Sequence, residues 1–442
     1  MDRALTLADV ERATNTASAR AVAESALEGT PWSIARLTRQ DVRLNPPSDY
    51  RATYRVLIRR EGQDDRRLTL VAKAWFGEDD REAYLKRLRD LYGEAPCRPL
   101  EGLGYPVWRP PVAWWFAPID PELTTLAAAS DGRSLRPLLA PRFSPKTPPA
   151  RIRVETVRYV PESSAVLRYH VIDKAGREPK VYYGKLSRYG GGRALHATMT
   201  SLWALSQEVG GMLHVPEPVG YLEDLDLHVE RAVAGGTLPS DRSDPAFLQG
   251  AIAAAEALAA LHSSSLTTDE QLPLEPELAR LERVTEQLMH VHPRAGALLR
   301  DLLKRLRAKV LKTAAEPQVF THGDMKYDQF LVHEGTFTLV DFEDVGMSET
   351  SWDLGKWTAH AIPSMPESWE DSEGAERARE AFLDRYLALR PDSSLQRFAL
   401  YEATHLANRA MVLMWGQREG WGPAAESLLA LSMERLQDSR IS

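Results

Sequence analysis

The densest run of chemically capable side chains is Thr321-His322-Gly323-Asp324-Met325-Lys326-Tyr327-Asp328-Gln329-Phe330-Leu331-Val332, followed by Leu339-Val340-Asp341-Phe342-Glu343-Asp344. Phe330–Asp341 reads as a β-hairpin whose two-residue turn is Glu334-Gly335. Such a turn sets Gln329 opposite Val340 and Asp328 opposite Asp341. The open end of the hairpin therefore gathers residues 328–329 with Asp341, and Asp324 lies in the loop entering that end. Carboxylate and amide oxygens collected at one point suit Mg²⁺, which completes its shell with phosphate oxygens. A further Asp on the loop can act as general base toward a hydroxyl. Lys326, two residues beyond Asp324, adds a cation suited to a phosphoryl group in transfer. Phosphoryl transfer needs little else, because its loose transition state asks mainly for positioning and charge neutralisation. A merely polar hairpin with solvated acids would not require Asp, Gln and Asp at 324, 329 and 341.

These residues need a scaffold, and the composition provides for one. The chain has 442 residues, 43% hydrophobic and 26% charged, which rules out wholesale disorder. At roughly 100–200 residues per domain, two to four domains or lobes are expected. The net charge of −7 argues against a nucleic-acid-binding face. No stretch approaches a membrane span. The N-terminal residues lack the basic start and apolar core of a signal peptide, and Cys97 is the single cysteine, so a reduced cytoplasmic setting is expected.

The first ~30 residues and Glu78–Tyr92 read as helices, with strands in Asp49–Lys73. Ser134–Pro149, with five prolines, reads as a linker. Strands follow at Val154–Tyr169, Val181–Leu186 and Leu225–Val233, and a helix at Ala194–Val209. From Asp244 onward the pattern is helical apart from the Phe330–Asp341 hairpin. The chain also repeats itself. Ala35–Val56 set over Ala150–Val171 without a gap matches at eight of 22 positions, among them Arg36/Arg151, Pro46/Pro161 and Tyr54/Tyr169. A three-residue shift then sets Lys73 beside Lys185. One strand–loop–strand–strand–helix–strand unit present twice explains this better than two unrelated hairpins.

His-Gly-Asp-x-x-x-x-Gln followed by Asp-Phe-Glu resembles the catalytic and metal-binding motifs of the aminoglycoside phosphotransferase/choline kinase superfamily, which shares the protein-kinase fold. The resemblance spans about residues 150–360. It implies an α+β, bilobal protein-kinase-like fold, here with an N-terminal cap (1–140) that repeats part of the N-lobe. An ATP-binding N-lobe (150–233) and a helical C-lobe (234–442) with the acceptor pocket would follow. By the same resemblance Asp324 is the catalytic Asp, Asp341 and Gln329 hold Mg²⁺, and Lys326 matches the catalytic-loop Lys. Asp353 and His322 would support the loop. The Gln at 329, where most of the family has Asn, is similar to maltokinases, although those carry His and Gly where Lys326 and Asp328 stand.

Three upstream features fit the resemblance. Lys185 sits in an apolar strand and needs an anionic partner, which ATP phosphates would supply. The turn Pro161-Glu162-Ser163-Ser164 would cover the phosphates through backbone N–H groups and the Ser163 or Ser164 hydroxyl, although it has no glycine. Leu227–Leu238 resembles the hinge strand, whose backbone at Glu230 and Ala232 would meet adenine. The helix after Lys185 carries no acid before Glu208, so the usual helix carboxylate for that lysine is missing.

The reading is a Mg-dependent kinase with ATP as donor and a small polar acceptor: a sugar, an amino sugar or an aminoglycoside-like compound. The alternative is a pseudokinase that binds nucleotide and regulates a partner. An acidic run at Glu367, Glu370, Asp371, Glu373, Glu376 and Glu380 is either a solvated face or a rim attracting a cationic acceptor. Trp108, Trp114 and Trp115 give the cap a surface through which a homodimer could form.

Overall fold

The structure is a computed structural model that describes residues 6–45, 48–92, 107–109, 112–143, 150–172, 179–363, 372–416 and 419–437. Chain contacts divide it into two units, residues 1–196 with 219–231 and residues 197–218 with 232–442. The stretches read as cap and N-lobe thus fall in one unit.

The first unit opens with α1 (Leu7–Ala13) and α2 (Thr16–Leu27), capped by the side chains of Thr6 and Asn15. Next come β1 (Ser33–Asn45), β2 (Asp49–Arg59), β3 (Arg66–Trp75), α3 (Glu78–Tyr92), β4 (Val107–Arg109) and β5 (Val112–Phe116). After α4 (Leu126–Ala129) and α5 (Gly132–Phe143) the pattern recurs: β6 (Arg151–Val160), β7 (Ser164–Ile172), β8 (Lys180–Ser187), α6 (Gly191–Glu208, whose second half belongs to the other unit), β9 (Pro218–Leu222) and β10 (Leu227–Arg231). The two sheets have the same order, β1-β2-β3-β5-β4 and β6-β7-β8-β10-β9. Register matches as well: Lys73 pairs with Arg51 and Ala113, and Lys185 pairs with Val166 and His228. Each sheet has its own core, one built on Tyr50, Tyr54, Trp114 and Trp115, the other on Leu167, Tyr169, Leu227 and Val229.

Two expectations change here. Residues 134–143 are helical rather than linker, because Asp131 accepts from the N–H groups of Arg133 and Ser134 while Leu135 and Leu139, one turn apart, enter the second core. Trp114 and Trp115 are buried in the first core and offer no surface for pairing two copies. Cys97, Glu367, Glu370 and Asp371 lie outside the described residues.

The second unit holds β11 (Gly236–Thr237), α7 (Pro245–His262), α8 (Leu274–Val291), α9 (Pro293–Val310), β12 (Gln318–Thr321), β13 (Phe330–His333), β14 (Thr336–Leu339), β15 (Gly346–Glu349), α10 (Thr350–Ala361), α11 (Ser372–Leu389), α12 (Phe398–Gly416) and α13 (Trp421–Gln437). Its helical core runs through Leu281, Leu299, Leu302, Leu406 and Leu428. The β13–β14 hairpin turns at Glu334 and Gly335, both with positive φ, the geometry of the tight turns that match strand twist. Phe330 lies opposite Leu339, and Val340 N–H donates to Gln329 O at 2.9 Å, the register the turn predicts. The short antiparallel pair β12–β15, which sequence periodicity does not reveal, brackets this hairpin and fixes where the 322–329 loop starts and where α10 begins.

Candidate active site

The loop from His322 to Gln329 is held from below by one carboxylate. Asp353, fully buried on the first turn of α10, accepts from His322 N–H at 2.7 Å and from Gly323 N–H at 2.9 Å. His262, at the end of α7, lies 3.2 Å from the same carboxylate and 2.8 Å from Tyr386 OH. It ties three helices together. Burial alone would push the Asp353 carboxyl up; His262, His322 and the backbone N–H outweigh it and hold it below the usual range. Gly323 has φ +81°, and a Cβ there would meet Asp344 O at 1.8 Å, so only glycine fits. His322 faces Val340 O through Nε2 at 3.0 Å and accepts from Asp324 N–H at Nδ1, a pairing that fixes its tautomer.

Asp324 emerges from this loop between two ammonium groups. Lys326 Nζ is 2.6 Å from its Oδ2 and Lys356 Nζ is 2.8 Å from its Oδ1. Lys356 also donates to Gly323 O at 2.9 Å, beside the Trp352 indole N–H on the same oxygen. Burial raises the Asp324 carboxyl, but Lys356 and Lys326 more than reverse this and bring it to about 2. Burial likewise opposes the charge on Lys326, and Asp324 overrides it, so Lys326 titrates above its ordinary range. Lys356 was not anticipated; its signal is the spacing Asp353-x-x-Lys356, which sets both on one face of α10.

Gln329 bridges the two acids, its Nε2 lying 3.3 Å from Asp324 Oδ2 and 3.1 Å from Asp341 Oδ2. Asp341 takes a left-handed backbone (φ +71°), a conformation non-glycine residues adopt at a cost of about 1–2 kcal/mol. Among the described residues no group of three His, Cys, Asp or Glu could hold a metal ion. The Asp341 carboxylate and the Gln329 amide are hard oxygen donors, two in number, and fit a cation such as Mg²⁺ that takes its remaining ligands from phosphate and water.

Lys185 and its surroundings belong to the first unit. Lys185 is 6% exposed, and its Nζ lies 3.5 Å from Glu230 Oε1. Glu230 is thus more than a backbone position, while Ala232 follows the end of β10 and Glu208 stands exposed at the end of α6. In the turn above, Ser163 is exposed, Ser164 half-buried and Glu162 buried. On α11, the exposed Glu373 pairs with Arg377, as a solvated face would, while the half-buried Glu376 pairs with the buried Arg435 of α13.

A protein-kinase-like α+β fold carrying a loop whose Asp324 stands between two lysines is what these elements define. The family model of the "Phosphotransferase enzyme family" matches residues 160–402. The chain belongs to that family of phosphotransferases. No curated protein sequence matches it. Among solved structures, one from Ralstonia eutropha JMP134, assigned as an aminoglycoside phosphotransferase, is similar in fold at TM-score 0.50 and 13% identity, over 69% of this chain and 97% of that one. A choline/ethanolamine kinase family protein from Mesorhizobium loti has TM-score 0.45 and 17% identity over 72% and 96% of the two chains. For a choline kinase of Streptococcus pneumoniae the values are 0.44 and 16%, over 64% and 93%. No helix among the described residues is long and apolar enough to cross a membrane.

Proposed function

We propose that the chain transfers the γ-phosphate of ATP, with Mg²⁺, to a hydroxyl of a small polar acceptor such as a sugar, an amino sugar or an aminoglycoside-like compound. The observation that carries this reading is Asp324 fixed between Lys326 and Lys356, with Gln329 joining it to Asp341. Asp341 and the Gln329 amide oxygen would hold the Mg²⁺. The ion supplies positive charge to the phosphate oxygens.

Asp324 orients the acceptor hydroxyl. As the new O–P bond forms and the γ-phosphorus–oxygen bond to ADP breaks, it takes the hydroxyl proton. In a loose transition state that proton moves late, so a weakly basic carboxylate suffices. Lys326 faces the transferring group, and Lys185 orients the donor phosphates. The backbone around Ser163 and Ser164 covers those phosphates, Glu230 and Ala232 line the adenine side, and His322 and Asp353 hold the catalytic loop. Residues 1–140 act as a cap, 150–233 as the nucleotide lobe and 234–442 as the acceptor lobe.

ADP release measured over a panel of sugars, amino sugars and aminoglycosides, with Mg²⁺ and with chelator, tests the proposal. Acceptor-dependent and Mg-dependent release supports it. Nucleotide binding without release from any acceptor supports the rival, a nucleotide-binding regulator.

A further inference from the structure

Lys73 occupies, in the first sheet, the position that Lys185 occupies in the second. The two positions differ in what they face. Lys185 has a carboxylate in its own sheet, Glu230; the position that corresponds to Glu230 in the first sheet is the buried Trp115. Lys73 finds its carboxylate elsewhere. Its Nζ lies 2.8 Å from both oxygens of Glu162, the residue at the tip of the β6–β7 turn.

The rest of the pocket serves that one residue. Tyr84 OH donates to Glu162 Oε1, and Arg51 approaches Oε2 at 3.5 Å and donates to Pro161 O. Glu162 N–H donates to Asp120 Oδ2 at 2.8 Å, an oxygen that also accepts from Tyr159 OH. Asp120 is itself fully buried and anchored by the N–H groups of Glu122 and Leu123. Glu162 is 7% exposed and sits at φ +63°, a backbone that favours glycine. A buried, ion-paired side chain holds a strained backbone in place here.

We propose that Glu162 is a positioning residue for the nucleotide-covering turn, and that the Lys73 pocket of the first sheet is a carboxylate receptor filled by this chain's own Glu162. This rests on the reading of the 161–164 turn as nucleotide-covering. A glycine-rich loop reaches the phosphates by backbone freedom; this glycine-free turn is instead set in advance, with its position fixed by Lys73, Arg51, Tyr84 and Asp120. The Lys73 site is then closed to nucleotide because Glu162 occupies the place of the anion.

The test compares Lys73→Met, Glu162→Gln and Lys73→Arg in the full chain, with thermal melting to verify folding. Hydrogen exchange at the amides of Glu162, Ser163 and Ser164 is read first, because it needs no activity. The Met and Gln variants should exchange faster there, and Lys73→Arg should stay near the parent. KM for ATP should then rise about tenfold where the fraction of chains with a competent turn falls to about a tenth, since the apparent constant varies inversely with that fraction, with kcat and the acceptor KM little changed. Should the single variants fail to fold, the charge-reversed pair Lys73→Glu with Glu162→Lys restores the contact and must recover slow exchange. Unchanged exchange in folded variants overturns the proposal. Faster exchange with an unchanged ATP KM overturns the nucleotide-positioning role. A parent chain with no kinase activity defeats the proposed function instead, and the exchange result still decides whether Glu162 is held.

Discussion

Glu230 Oε1 lies 3.5 Å from Lys185 Nζ across the antiparallel pair β8–β10, so this lysine draws its carboxylate from the neighbouring strand. The helix that follows Lys185 offers no acid until the exposed Glu208. His228, opposite Lys185, carries the contact on: its Nε2 is 3.4 Å from Glu230 Oε2, and its Nδ1 is 3.2 Å from His196 Nδ1 on α6. The helix is thus linked to the lysine through two histidines and a strand glutamate. Burial would raise the Glu230 carboxyl, yet Lys185 and His228 keep it below its ordinary value, and so ionised.

Glu230→Gln should therefore destabilise the fold. It takes the strand carboxylate away from a buried ammonium, which costs up to about 3–5 kcal/mol of stability, read as a lower denaturant midpoint. Combining it with Lys185→Met removes both charges, and the double variant should be less destabilised than the sum of the two singles. Additive losses would mean that the pair does not interact.

Asp324→Asn should leave ATP binding nearly intact and lower kcat by about 10²–10⁴-fold, the usual worth of a positioned acid or base. Lys356→Met should act in the same direction and more weakly, since Lys326 still holds the other carboxylate oxygen. Single-turnover kinetics with a nucleotide-binding control checks both, and an Asn variant with near-parental turnover would remove Asp324 from the chemistry.

How much of this was legible beforehand differs from place to place. The register of the β13–β14 hairpin could be read from Glu334-Gly335 alone, because few two-residue turns fit the twist of a hairpin and those demand positive φ. The repeat was visible because the two copies keep identical residues at eight of 22 aligned positions, and the structure gives both sheets the same strand order. Lys356 was not visible: a lysine on a helix reads as solvated, and only the fold brings α10 under the 322–324 loop. Glu230 was read for its backbone, although strand alternation sets Glu230 and His228 on one face. The Glu162 contact joins residues 89 positions apart, and nothing local in the sequence announces it.

The pH dependence follows from the Asp324 shift. Its folded value, about 2, lies below the ordinary value near 3.8. A depressed carboxyl stabilises the fold above its unfolded value, and that contribution is lost as pH falls from about 4 through about 2. Between pH 5 and 8 the residue stays ionised, so it should produce no acid limb in kcat there. Removing a lysine from the pair takes away a cause of the depression, so Lys326→Met should shift the Asp324 titration upward, measured by carboxyl-carbon NMR. An unchanged titration would show that Lys326 does not govern it.

Gln329 gives the metal prediction. Chelation should abolish phosphoryl transfer, and Mg²⁺ should restore it. Gln329→Ala removes an oxygen donor together with the bridge between Asp324 and Asp341. The Mg²⁺ concentration for half-maximal rate should then rise about 10–100-fold, the range seen when groups that orient a metal site are lost. Gln329→Asn keeps the amide on a side chain one methylene shorter and should recover part of that loss. If Ala and Asn variants behave alike, the amide oxygen is no ligand, and Gln329 serves only to space the two acids.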